Sequence, residues 1–335
     1  MKNKRKMPYF EEGVFKELIL DFISYKRSCG LKYEDSVEYV LRVINRKLND
    51  YDVKEPILSK EMIENLVEKR PHEQYSTQSR RISLLRQLAK YLCWRGFDAY
   101  VYPELSIHKE EKTFVPYLFT DSEITSIFYV SDHLQPVGRR SPYYHLVYPA
   151  LIRLLYSSGL RLSEALNLRV KDVNMESATL YIDKSKNYKS RIVPMSASMT
   201  RVMRNYISTR YGNTPSPERY VFEAPDGGRY NRGSVRHTVI NIFKKAGLPH
   251  NISGRHPRVH SFRHNFAVKA MEKMQKSGMD LYCTLPLLSV YLGHKGIRET
   301  ERYLRLPQFR MDEIASSGNK LVEDMIPEVE WNDEG

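Results

Sequence analysis

The chain has 335 residues, room for about two domains, with 41% hydrophobic and 28% charged residues. Its 53 Lys and Arg against 40 Asp and Glu give a formal net charge of +13, a balance that favours polyanions, nucleic acid ahead of an anionic membrane. No stretch is long and apolar enough to span a bilayer, and the basic start, Met1 to Lys6, is not followed by the apolar run of a secretory signal. Cys29, Cys93 and Cys283 are widely spaced, odd in number and without metal-ligand spacing, so they read as free thiols of a cytoplasmic protein.

In chain order, the first hundred residues read as helices. Val14, Leu18, Phe22 and Tyr25 recur at three-to-four spacing over 14–28, with Gly30 as a stop. A second helix fits 36–48, with Val40, Leu41, Ile44 and Leu48 on one side, and Ser59 offers an N-cap for a third. A fourth runs from about Thr77 to Trp94 on the stripe Ile82, Leu85, Ala89 and Leu92, with Arg80, Arg86, Lys90 and Arg95 mostly turned away from it. The segment 103–119, bracketed by Pro103 and Pro116, reads as a linker, and Thr120 to Glu123 has the form of a capping box that opens a second domain. The stretch 131–144, with Pro136, Gly138, Arg139, Arg140 and Pro142, reads as a loop. Thr179 to Asp183 and Arg191 to Met195 flank a polar turn and predict a hairpin. Helices are expected again at about 197–211, 233–246, 260–276, 284–292 and 299–305, with Gly278 and Gly293 at helix stops.

Four segments can carry chemistry. In Ser158-Gly159-Leu160-Arg161-Leu162-Ser163-Glu164, Gly159 breaks one helix and Ser163 is a candidate cap for the next, which sets Arg161 at a junction suited to holding a phosphate. In His260-Ser261-Phe262-Arg263-His264, His260 and Arg263 share a helix face and pair a proton carrier with a bidentate cation. Leu292-Gly293-His294 is followed nine positions on by Tyr303. The hairpin turn carries Lys184, Lys186 and Lys189. Each segment alone reads equally well as ordinary surface or helix, and Tyr303 is one of 24 tyrosines.

Taken in order, Arg161, Lys186, His260, Arg263, His294 and Tyr303 resemble the active-site set of the tyrosine recombinases of phage integrase and Xer type. The resemblance covers about residues 112–310 by motif, including a hairpin that ends Arg191-Ile192-Val193-Pro194. Ser261 stands where the family usually has an acidic residue, a position that is not a reacting group. The resemblance implies a mainly α fold with a small antiparallel β-hairpin or sheet. It divides the chain into a helical core-binding domain (1–105), a linker (106–119), a tyrosine recombinase catalytic domain (120–310), and a C-terminal helix with an acidic tail (311–335). It further implies cleavage and rejoining of DNA through a 3′-phosphotyrosyl bond, with Tyr303 as nucleophile. Arg161 and Arg263 would hold the phosphate, Lys186 would protonate the leaving oxygen, His260 would handle the tyrosine proton and His294 would position the phosphate. Glu164 is a candidate supporting residue. Counting back from Arg191 favours Lys186 over its neighbours in the turn.

Arg80, Arg86, Lys90, Arg139 and Arg140 are candidate DNA contacts. No metal or other cofactor is implied. The expected partners are double-stranded recombination sites, other copies of the chain in a tetramer, and accessory factors or other recombinases, with no membrane; the expected place of action is the cytoplasm, at the nucleoid. Because the core-binding pattern starts near residue 13, a further arm-binding domain is not expected, which fits Xer-like enzymes or integrases of mobile elements, and the long loop at 131–144 tilts toward the latter. The rival functions are a catalytically idle DNA-binding subunit and a type IB topoisomerase-like relaxing enzyme.

Overall fold

The computed structural model describes residues 9–31, 33, 35–103, 116–136, 138, 141–183, 190–248, 257–294, 296–301 and 303. The chain divides into two compact units, Met1–Thr113 and Phe114–Gly335.

The first unit is built on α1 (Lys16–Ser28), α2 (Asp35–Leu48), α3 (Lys60–Val67) and α4 (Tyr75–Trp94). Their apolar faces converge on one core that includes Ile19, Phe22, Leu41, Ile44, Leu85 and Leu92. Ser59 caps α3, its hydroxyl accepting from the Met62 amide at 3.3 Å. The expected stripe on α4 is buried, but Arg81 lies among it, only 3% exposed. Arg81 donates to the Leu66 carbonyl (2.7 Å) and the Glu68 carbonyl (2.6 Å), both at the end of α3, and pairs with Glu73. A helix end leaves carbonyls without partners, and this guanidinium satisfies two of them. The periodicity did not reveal that role, because an arginine counts as polar wherever it falls.

The second unit contains α5 (Asp121–Asp132), α6 (Tyr144–Ser158), α7 (Leu162–Asn167), strands β1 (Val173–Asn174), β2 (Thr179–Ile182) and β3 (Arg191–Pro194), and then α8 (Ala197–Tyr211), α9 (Arg232–Lys245), α10 (Ser261–Lys276), α11 (Leu281–Leu292) and α12 (Arg298–Glu301). The capping box at Thr120 and Glu123 is formed. The hairpin pairs Leu180 with Val193 and Ile182 with Arg191, and β1 adds a short third strand, giving an antiparallel sheet in the order β1-β2-β3. The fold is thus mainly α with one small sheet. Strand β1 is two residues long, too short to show an alternating pattern. Helix α6 packs against α5, α8 and α10, and its Leu151, Leu154 and Leu155 are buried in the main core. A smaller cluster joins α10 to α11 and takes in Tyr303.

Two expectations need correction. Ser163 does not cap α7; the cap position is Arg161, and the Glu164 carboxylate accepts from the Arg161 amide at 2.9 Å, closing the helix start that Ser163 was expected to close. Of the helix expected at 299–305, the described residues show Arg298–Glu301 helical and Tyr303 in a turn, its amide bonded to the Thr300 carbonyl at 2.9 Å, with 302, 304 and 305 outside the described residues. The turn with Lys186, the pair Arg139 and Arg140, and the segment 311–335 lie outside the described residues.

Replacing Arg81 with Ala strands Glu73 and unties the end of α3. Loss of one partner of a buried pair costs about 3–5 kcal/mol, so urea unfolding of Arg81→Ala is expected to lose stability on that scale, whereas the exposed Lys90→Ala stays close to the parent.

Candidate active site

The site begins with a problem in backbone chemistry. Helix α11 ends at Leu292, and Gly293 follows in the left-handed conformation, with φ of 65°. The last carbonyls of a helix lack amide partners and carry the negative end of its dipole. Three arginines from distant parts of the chain meet them. Arg191, at the start of β3, donates from Nε to the Tyr291 carbonyl at 2.7 Å. Arg263, in the first turn of α10, donates from Nη2 to the Leu292 carbonyl at 2.6 Å. Arg161, at the start of α7, donates from Nη2 to the Gly293 carbonyl at 2.9 Å.

The same arginines are fixed from the other side. Gly159 ends α6 in the left-handed region, with φ of 62°, and its carbonyl accepts from Arg263 Nη1 at 2.9 Å. A Cβ at Gly159 would lie 2.5 Å from the ring of Phe266, so the close approach of α6 to α10 also requires glycine there. Glu164 is 7% exposed and serves two cations. It accepts from Arg161 Nη1 at 2.8 Å and from Arg191 Nη1 and Nη2 at 3.2 and 2.9 Å. Burial alone would raise the pKa of this carboxyl, but Arg191 first, and Arg161 after it, hold it below the ordinary carboxylate value.

Three guanidinium groups against one carboxylate leave the pocket strongly positive. Burial, and then the charge of Arg161, push Arg263 down to about 10, with Tyr303 and Glu164 pulling the other way, so Arg263 remains a cation at neutral pH. His294 is half-buried, and its Nδ1 lies 2.7 Å from the hydroxyl of the fully buried Thr300. Burial, followed by Arg263 and Arg161, lowers its pKa to about 3. His260 precedes α10 with one side open to solvent; desolvation by the groups packed on its other side, then Arg263, Arg161 and Arg236, lower it to about 4. Both imidazoles are neutral at physiological pH and can take up a proton once an anion offsets the guanidinium charge.

Tyr303 closes the pocket and is only 4% exposed. Its ring stacks on His294 (centroids 6.1 Å apart, planes 21° apart) and lies 5.6 Å from the ring of His264, which in turn meets His260 edge-on at 4.7 Å. The structure therefore brings together Arg161, Glu164, His260, Arg263, His294 and Tyr303. Two contributors had no role assigned from sequence. Arg191 was legible only as the last part of the hairpin motif, and Thr300 carried no signal at all. In the other unit, Arg80 and Lys90 are exposed on α4, while Arg86 is half-buried and donates to the Tyr102 carbonyl at 2.7 Å. Among the described residues no group of His, Cys, Asp and Glu is gathered for a metal ion, and no helix is long and apolar enough to cross a membrane.

Residues 120–308 match the phage integrase family, and the chain belongs to that family. The tyrosine recombinase XerA of Pyrococcus horikoshii is 27% identical over 252 residues, spanning 75% of this chain and 77% of that protein. Among solved structures, the XerH site-specific recombinase in its post-cleavage complex with a palindromic difH substrate shares the fold at 18% identity, with a TM-score of 0.62 over 92% of this chain and 98% of that one. The Tn1549 transposon integrase in complex with transposon right-end DNA does so at 15% identity, with a TM-score of 0.56 over 89% and 99%. The chain is a tyrosine recombinase, an enzyme of site-specific DNA breakage and rejoining.

The depressed histidines predict a pH effect. Their folded pKa values, about 3 and 4, lie below the ordinary value of 6.5. Above pH 6.5 both states carry neutral imidazoles and no linkage arises. As pH falls from 6.5 toward 4 the unfolded chain binds protons that the folded chain does not, so stability drops over that window. NMR titration is expected to show the rings of His260 and His294 still neutral at pH 5.5 in the DNA-free protein.

Proposed function

We propose that the pocket joins DNA strands through Tyr303, with the roles divided among the residues gathered there. The phenol is a weak nucleophile at neutral pH, and the anionic phosphodiester repels it. Arg161 and Arg263 offset the charge on the nonbridging oxygens and stabilise the five-coordinate transition state. The Tyr303 oxygen attacks phosphorus as its proton passes to His260, the bond from phosphorus to the 5′ oxygen breaks, and that oxygen takes a proton from Lys186. His294, oriented by Thr300, donates to a phosphate oxygen. The product is a 3′-phosphotyrosyl ester close in energy to the bond broken, so attack by a 5′ hydroxyl of the partner strand reverses the step without ATP. The observation that carries this reading is the convergence of Arg161 and Arg263 on the carbonyls beside His294, with Tyr303 stacked on that ring.

The wider assignment follows from the same reading. The substrates are two double-stranded recombination sites, the working assembly is a tetramer on DNA, and the place of action is the cytoplasm, at the nucleoid. The biological setting is a mobile genetic element, supported by the shared fold with a transposon integrase. Residues 1–105 form the core-binding domain, contacting DNA through Arg80, Arg86 and Lys90, and residues 120–310 form the catalytic domain, with Arg139 and Arg140 as further contacts.

A nicked suicide duplex carrying the cleavage site, mapped from DNA flanking the gene, tests the assignment. The protein is expected to form a covalent adduct that Tyr303→Phe abolishes while DNA binding persists, and Arg161→Ala is expected to slow adduct formation by about 10²–10³-fold. An adduct that survives Tyr303→Phe rejects the assignment. Binding without any adduct points to an idle accessory subunit, and relaxation of a supercoiled plasmid lacking the site points to a topoisomerase-like enzyme.

A further inference from the structure

We propose that Arg191 is a positioning residue that sets the charge available to the scissile phosphate, by sharing Glu164 and so keeping Arg161 from being neutralised by that carboxylate. The inference rests on the recombinase reading above and adds a residue to it. Arg191 holds both oxygens of Glu164 with its guanidinium, at 3.2 and 2.9 Å, whereas the Arg161 guanidinium reaches only Oε1, through a single nitrogen at 2.8 Å, and Oε2 is met by the Arg161 backbone amide at 2.9 Å. The side chain of Arg191 is 10% exposed and that of Glu164 5%. A carboxylate so placed cannot turn to water, so without Arg191 its remaining strong partner among the described residues is Arg161. A guanidinium gripped by both oxygens of one carboxylate is a closed ion pair and a poor ligand for a second anion. Arg191 itself is held in register by its Nε bond to the Tyr291 carbonyl and by Gly293, where a Cβ would lie 2.9 Å from its Nη1. The depressed pKa of Glu164 owes more to Arg191 than to Arg161, in keeping with this division.

The test uses the full chain on the same nicked duplex, with the scissile phosphate as an ordinary phosphodiester or as a methylphosphonate, which lacks the nonbridging charge. On the phosphodiester, Arg191→Met is expected to form adduct about a hundredfold more slowly than the parent, with DNA binding kept. On the methylphosphonate the deficit is expected to shrink to under about tenfold, because less positive charge is required there. Removing the carboxylate's charge as well, in the double variant Arg191→Met with Glu164→Gln, is expected to recover part of the phosphodiester rate. Equal deficits on both substrates, or no deficit, overturn the proposal. Should Arg191→Met fail to fold by circular dichroism, Arg191→Gln, which removes the charge but keeps a donor near the Tyr291 carbonyl, takes its place under the same criterion. Absence of adduct from the parent chain is a separate result that rejects the recombinase reading itself and this inference with it.

Discussion

The second unit depends on the carboxyl end of one helix. The last carbonyls of α11 meet Arg161, Arg191 and Arg263, residues from widely separated parts of the sequence. Packing alone would not draw three like charges together. Backbone oxygens with no amide to accept from, and a dipole of matching sign, supply the attraction. One contact thus solves two problems: it satisfies the helix end, and it assembles a cationic pocket from parts that fold far apart.

The pocket's chemistry follows from its charge balance. Glu164 offsets one of three guanidinium groups, and desolvation first, with the remaining positive charge behind it, keeps both histidines in the neutral form. Such a site is arranged for an anion before the anion arrives. Donors already fixed in a partly dry pocket need little rearrangement as charge develops, which is the main source of electrostatic catalysis. The cost is mutual repulsion in the DNA-free protein, tolerated because carbonyls of Gly159, Leu292 and Gly293 hold the side chains in place.

Much of this was legible in the sequence, for identifiable reasons. Helices with a continuous apolar stripe, such as α4, read directly from their period, and the Thr120 box announced α5 by its chemistry. The hairpin was visible in its β-formers, but β1 was not, since two residues have no period. The cap of α7 was misread because Ser163 matches the preferred residue type, while the actual partner, Glu164, acts by reaching back to Arg161. Arg161, His260, Arg263, His294 and Tyr303 were found through ordered motifs, not through any property of one residue. Arg191 escaped assignment because its work is done across the fold, on the Tyr291 carbonyl, and Thr300, six positions from the His294 ring it bonds, because that spacing matches no regular period.

The seclusion of Tyr303 bears on the fate of the cut strand. The residue is 4% exposed, with its ring stacked on that of His294 and next to the tilted ring of His264. In the chemistry proposed above, an ester made on that oxygen forms where bulk water has little access. Hydrolysis of that ester would leave the strand nicked, whereas attack by a DNA 5′ hydroxyl would restore its continuity. On that proposal, shielding the phenol favours a DNA alcohol over water as the group that releases the enzyme.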